Sequence, residues 1–291
     1  MAGRIRGEVR FKEPLSFHTS LRVGGPADIF IVPYDLGDIR LALALAEREQ
    51  LPVEVIGGGN NLLFGDRGYH GVVIKMEKCL GLVKFHGEEA VAGVGVELSA
   101  LIREAVALNL GGLECLIGIP GTVGGAIAMN AGSTEGRLGD FVSAVHFLYS
   151  DGTLGEFKKG NGVLGCDEFC APPGAVLIEA RIQFHRRPQA EIQEEIKRRL
   201  KEKKTAQPIM TSAGYIWKNP LGEVAGRLIQ NVGLNGKRLN GAEIFRTNPN
   251  FIVNRGEATA VDIKALMYIA RERVQAEFGI ALEPAIRIIG D

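Results

Sequence analysis

The sequence predicts an α+β protein, on three observations. Apolar stretches of strand length, such as Val53–Ile56 and Gly71–Lys75, alternate with longer segments whose apolar residues recur at helical spacing. An Asp151-Gly152 turn lies between the apolar runs Val142–Leu148 and Ala175–Phe184 and marks a hairpin. Two glycine-rich loops punctuate the first half of the chain: Gly57-Gly58-Gly59-Asn60-Asn61-Leu62-Leu63-Phe64, and Gly118-Ile119-Pro120-Gly121-Thr122-Val123-Gly124-Gly125-Ala126-Ile127-Ala128-Met129-Asn130-Ala131-Gly132. Neither composition suits the interior of a helix or strand. Without a Cβ the backbone takes positive φ and approaches a ligand closely, and successive N–H groups can face an anion. Together the loops predict a main-chain cradle for a large anionic cofactor.

In chain order, residues 1–75 read as a compact β-α-β region. Ala27–Val32 is a strand ended by Pro33, and Asp38–Gln50 is a helix with Ile39, Leu41, Ala42, Leu45 and Ala46 at helical spacing. Val53–Ile56 and Gly71–Lys75 are strands. In residues 76–205, Ala90–Val96 is a strand and Leu98–Leu108 a helix stopped by Asn109 and Gly111-Gly112. After the long loop come strands at Val142–Leu148 and Ala175–Phe184. Gln189–Thr205 reads as a solvated linker helix, with Ile192, Ile196 and Leu200 on one face; its basic stretch Lys197–Lys204 leaves open a role facing an anion. Residues 206–291 form a third region that ends in the helix Ala260–Phe278.

Composition narrows the function. Lys plus Arg equals Asp plus Glu at 34 each, so the formal net charge is zero, which argues against broad nucleic-acid or membrane-surface binding. No apolar run approaches the roughly 20 residues of a membrane span, and the first residues lack a signal peptide's apolar stretch. The four cysteines, Cys79, Cys115, Cys166 and Cys170, match no metal or redox spacing and read as small buried hydrophobes in a reducing cytoplasm. No metal site is expected, and the sequence leaves the oligomeric state open.

Five stretches in order carry a resemblance: His18–Asp28, which includes Arg22; the two glycine loops; Tyr215-Ile216-Trp217-Lys218-Asn219-Pro220; Asn250–Asn254; and Leu282–Gly290. The chain resembles the UDP-N-acetylenolpyruvoylglucosamine reductase (UDP-N-acetylmuramate dehydrogenase) family, in its shorter subtype, over nearly its whole length. The resemblance implies a vanillyl-alcohol-oxidase-type (PCMH-like) FAD-binding fold with subdomains at 1–75 and 76–205, then a substrate-binding domain at 206–291. It implies FAD as cofactor, NADPH as reductant, and a UDP-sugar enol ether as small-molecule substrate in peptidoglycan precursor synthesis. Arg22, Gly57, Gly58, Gly59, Asn60, Asn61 and Leu62 are implied in the FAD site, as are Gly118, Ile119, Pro120, Gly121, Thr122, Gly124, Gly125, Asn130, Ala131 and Gly132.

The implied catalytic positions depart from the family pattern. The proton-donating serine of Gly-Ser-x-Phe-Lys-Asn-Pro is replaced by Tyr215. The glutamate after the proline of Leu-Glu-Pro-Glu is replaced by Ala285. The arginine that polarises the substrate carboxylate aligns with Asp167. Reduction of an enol ether builds negative charge beside that carboxylate, so a cation stabilises it and an acid repels it. Tyr215 keeps a hydroxyl that can give a proton; Ala285 has none. Glu283, two residues from Ala285 on an extended segment, lies on the same face and reads either as a substitute acid or as structural. Lys218 and Asn219 stand where the family contacts substrate, or they cap a turn before Pro220. The departures admit two further outcomes: a divergent flavoprotein acting on another substrate, or a catalytically silent FAD-binding paralogue.

Overall fold

The computed structural model describes residues 5–133, 135–159, 172, 174–206 and 210–290. The chain divides into two compact units. One takes Met1–Phe11, Ile29–Gly58 and Gly71–Lys203; the other takes Lys12–Asp28, Gly59–His70 and Lys204–Asp291. The chain therefore passes from the first unit to the second inside the first glycine loop, between Gly58 and Gly59.

The first unit contains two sheets. A four-stranded sheet has the order Glu8–Pro14, Pro26–Val32, Tyr69–Lys75, Val53–Ile56, and its last two strands are parallel. The helix Leu36–Arg48 starts two residues earlier than its apolar spacing indicates, because Asp35 caps it by accepting from the Asp38 N–H. Ile39, Ala42, Leu43 and Ala46 pack with Ile31, Val72 and Ile74. Asp38 is itself buried. Burial works against its charge, but the backbone N–H groups of Tyr34, Arg6 and Gly7 donate to it and hold its carboxyl below the usual range.

The second sheet has the order Leu154–Lys158, Val142–Leu148, Val176–Gln183, Glu89–Gly93, Val83–His86, with antiparallel neighbours. The edge strand Leu154–Lys158, closed onto Val142–Leu148 by the Asp151-Gly152 turn, completes the hairpin. The strand expected over Ala90–Val96 ends at Gly93. Beyond it, the Val94 and Val96 carbonyls accept from Gly124 and Val123 of the second glycine loop.

The helix Gln189–Ala206 corrects its reading as a solvated linker. Ile192 is fully buried in the core of the first unit and Ile196 packs against it. Arg187, just before the helix, bonds Glu114 and Glu195, and Arg199 bonds Glu195 and Glu135. Two apolar residues at i and i+4 are enough to seat a helix whose other faces are charged.

In the second unit, Arg238–Leu239, Ala242–Ile244 and Ile252–Asn254 form an antiparallel sheet. Ile263, Leu266, Met267, Ala270 and Val274 of the helix Ala260–Phe278 share a core with Trp217, Ile229 and Ile252. Thr259 and Asp262 form a capping box at the start of that helix, and Gly279 ends it at φ +69°. Leu62–Phe64 pairs in parallel with Arg287–Ile289.

Candidate functional site

The second glycine loop is fixed from both ends. Its Gly121 carbonyl accepts from Leu98 N–H, Val123 and Gly124 donate to Val96 and Val94, and Thr122 caps the short helix Val123–Ala128 by accepting from Gly125 N–H at 3.3 Å. Asn130 closes the loop in a left-handed conformation, φ +40°, and its side-chain oxygen accepts from Gly139 N–H. At the loop's start, the Lys203 amino group donates to the Ile117 carbonyl, and its aliphatic stem lies over Gly118. Burial lowers the pKa of Lys203. The basic end of that helix thus lands on the loop itself, a placement that charge pattern alone does not specify.

The first loop touches the second within the first unit. A Cβ at Gly57 would stand 2.5 Å from the Thr122 hydroxyl, an atom already committed to capping. Further along, in the second unit, Gly59 has φ +68° and its Cβ would stand 1.9 Å from the His18 carbonyl. Here the motif containing Arg22 meets the loop: Ser20 N–H donates to Gly59 O at 3.0 Å, and the Ser20 hydroxyl to Asn60 O. Arg22 follows in a left-handed turn at φ +53°, its side chain exposed.

These contacts sort the polar edges of the loops. Gly59, Asn60, Asn61 and Gly121 each use a carbonyl on an internal donor: Ser20 N, Ser20 Oγ, Arg287 N and Leu98 N. The backbone N–H groups of Gly57 through Asn61, and of Gly121 and Thr122, have no acceptor among the described residues. Runs of free N–H groups on a tight backbone suit phosphate oxygens, so the residues present fit a dinucleotide's diphosphate.

In the second unit, two segments quoted for the resemblance pair with one another. Trp217 bridges Pro284 antiparallel, Lys218 N–H donates to Glu283 O at 2.9 Å, and Ala285 N–H donates to Ile216 O at 2.8 Å. Asn250 clamps the first segment: its side-chain oxygen accepts from Trp217 N–H at 2.8 Å, its amide donates to Trp217 O at 3.0 Å, and its carbonyl accepts from Ile216 N–H. Tyr215, 49% exposed, lays its ring against Phe251 with centroids 4.9 Å apart. Tyr215, Lys218, Glu283 and Ala285 therefore lie together on one paired frame. Asn219 turns its side-chain oxygen to Ala225 N–H at the start of the helix Ala225–Asn231, so it caps that turn. Glu283 is exposed and engages Lys218 through its main chain. Asp167 lies outside the described residues, as do Glu168, Cys166 and Cys170; Cys79 and Cys115 are buried free thiols, Cys79 pushed up to about 11 by burial.

Two links escape a reading of the sequence. The Asn250 clamp spans 33 residues, and the Asn61 amide donates to the Ala285 carbonyl across 224. Both asparagines lie within stretches quoted above, but nothing local marks their partners. Among the described residues, no group of His, Cys, Asp or Glu is placed to hold a metal ion, and no helix is long and apolar enough to cross a membrane.

A family model described as UDP-N-acetylenolpyruvoylglucosamine reductase, C-terminal domain, matches residues 205–289, and one described as FAD binding domain matches residues 27–158. The chain is 40% identical over 297 residues to a UDP-N-acetylenolpyruvoylglucosamine reductase of Geobacter sulfurreducens, covering 100% of this chain and 97% of that one. A reductase of the same name from Alkaliphilus oremlandii is 37% identical over 286 residues, covering 97% and 94%. The crystal structure of the reductase from Thermus caldophilus superposes with a TM-score of 0.84 at 34% identity, over 98% of this chain and all of the other. At fold level alone, the grass pollen allergen Phl p 4 aligns over 65% of this chain and 43% of its own, with a TM-score of 0.50 at 16% identity.

Proposed function

Because the chain belongs to the UDP-N-acetylenolpyruvoylglucosamine reductase family, we propose that it is an FAD-dependent, NADPH-linked reductase of a UDP-sugar enol ether in the cytoplasm. The main-chain N–H groups of Gly57 through Asn61, Gly121 and Thr122 would hold the cofactor's diphosphate, with Leu62, Gly118, Ile119, Pro120, Gly124, Gly125, Asn130, Ala131 and Gly132 shaping the loops and Arg22 adding a cation. FAD, when bound, supplies the hydride chemistry. The observation that carries this reading is the seating of Gly57 on Thr122, which brings the two loops together with their N–H edges unused.

On the substrate side, Tyr215 is the proton source, since it is half-exposed beside the frame that holds Lys218 and Glu283. Its ring rests on Phe251, which limits the positions its hydroxyl takes. General acid catalysis of this kind supplies about 10²–10⁴ in rate. Lys218 is the cation on the frame and Asn219 keeps its turn in place.

A second reading has its own observation. Ala285 is anchored through both its N–H and its carbonyl at the position where the family carries a glutamate, and its methyl group offers no proton. This supports a divergent or silent flavoprotein. Anaerobic titration with NADPH, followed by the UDP-sugar enol ether, separates the readings. Flavin bleaching with rapid reoxidation by substrate is expected of the reductase. Bleaching without substrate-linked reoxidation points to another substrate, and no bleaching points to a silent paralogue.

A further inference from the structure

Asn61 is attached to the C-terminal segment twice. Its side-chain amide donates to Ala285 O at 2.8 Å, and its carbonyl accepts from Arg287 N–H at 3.0 Å. The chain then continues as Leu62–Phe64 in register with Arg287–Ile289. Ala285 is held on its other edge by Ile216 O, and the next rung joins Lys218 N–H to Glu283 O. One residue thus relays between the first glycine loop and the segment that carries Tyr215: the Ala285 carbonyl accepts from Asn61 and its N–H donates to Ile216. Among the described residues, Asn61 is the loop residue whose side chain makes this connection.

The chemistry calls for an amide. The Ala285 carbonyl accepts, so its partner must donate. An aspartate of the same shape presents only acceptor oxygens when ionised and would push that carbonyl away. An alanine leaves the Arg287 bond in place and removes the relay alone.

From this geometry we propose that Asn61 is a positioning residue that couples occupancy of the glycine loop to the order of Tyr215–Lys218. The proposal rests on the reading of the loop as the FAD diphosphate site. When phosphate oxygens take the N–H groups of Gly58 through Asn61, the Asn61 backbone loses freedom and its side chain is held on Ala285. The Ile216–Ala285 and Lys218–Glu283 rungs then open less often. Coupling of this kind needs no change of shape, only a shared ordering, and it is reciprocal, so an ordered Tyr215 segment tightens the loop on its ligand.

Amide hydrogen exchange tests it on flavin-free protein titrated with FAD, followed over residues 57–62, 214–220 and 282–290. In the wild type, FAD slows exchange in all three, by at least about fivefold in 214–220, the low end of typical coupling. In Asn61→Asp and Asn61→Ala, 57–62 stays protected by FAD while the FAD-dependent slowing of 214–220 falls below about twofold, and FAD binds at least about fivefold more weakly. A purely structural asparagine would raise exchange equally with and without FAD. Equal FAD-dependent protection of 214–220 in wild type and either variant overturns the coupling and leaves the loop assignment standing. If FAD fails to protect 57–62 in the wild type, the loop assignment falls and takes the coupling with it. Asn61→Ala keeps the test decisive should the charged variant not fold.

Discussion

The glycine loops and the paired segments around Tyr215 and Ala285 are built from different parts of the chain. The loops are main-chain devices. Their identity is dictated by close approach, as at Gly57 against Thr122 and Gly59 against the His18 carbonyl, where any side chain collides. The paired segments are a main-chain frame, Ile216–Lys218 against Glu283–Ala285, that displays side chains. In the frame, a side chain can change while every rung stays formed. Tyr215 and Ala285 stand where the family pattern has serine and glutamate, yet the frame is intact. A site made of backbone tolerates little substitution, whereas a site made of side chains can lose or change its chemistry without losing its shape.

The sharpest way to break this contrast is to restore the chemistry on the existing frame. Tyr215→Ser combined with Ala285→Glu should accelerate reoxidation of reduced flavin by the UDP-sugar enol ether at least about tenfold, because a carboxyl is added where Ala285 has no proton to give, with FAD affinity unchanged. Stopped-flow absorbance of the flavin gives both quantities. If the rate stays at the wild-type level, the frame itself has moved away from the family's geometry.

Next in size is an insult to the backbone site. Gly59→Ala puts a methyl group 1.9 Å from a carbonyl at a φ of +68°. The strain and the displacement of His18–Ser20 should cost about 2–3 kcal/mol of stability and abolish stoichiometric FAD uptake. Denaturant melts and a flavin titration read the two effects, and normal uptake by a stable variant would show that the loop has more room than its contacts allow.

Tyr215→Phe should then slow substrate-linked reoxidation at least about tenfold, the low side of general acid effects, while leaving flavin reduction by NADPH as it was. The ring keeps its contact with Phe251, so only the hydroxyl is tested. An unchanged rate removes Tyr215 from the mechanism.

The same contrast explains what could be read from the chain. The glycine loops were legible because glycine answers to a local steric demand, and helices such as Ala260–Phe278 because their apolar period is local too. Leu154–Lys158 was not legible: it is an edge strand with alternating exposure whose inward positions are Gly155 and Phe157, too few apolar residues to make a pattern. The docking of Gln189–Ala206 was missed because Ile192 and Ile196 are few among many charges, and burial depends on what lies opposite. On the candidate site, residue identities at Tyr215 and Ala285 could be read, but the rungs that set them side by side join residues nearly 70 apart, and the Asn61–Ala285 link joins residues 224 apart. Pairing over such distances leaves no period in the sequence.

The smallest effect sharpens the comparison most finely, because Thr122 is a side chain serving the backbone site. It is buried, caps the helix Val123–Ala128 through Gly125 N–H, and meets Gly57. Thr122→Ala removes the cap and should cost about 1 kcal/mol, seen as a fall in melting temperature of about 2–4 °C. Thr122→Ser keeps the hydroxyl and should recover most of that loss. If FAD affinity follows the hydroxyl, weak in the alanine variant and restored in the serine variant, the cap holds the loop in its binding shape. Should stability fall and affinity hold, the loop is kept in place by its main-chain bonds to Val94, Val96 and Leu98, and the main-chain site is more self-sufficient than the Thr122 contact with Gly57 implies.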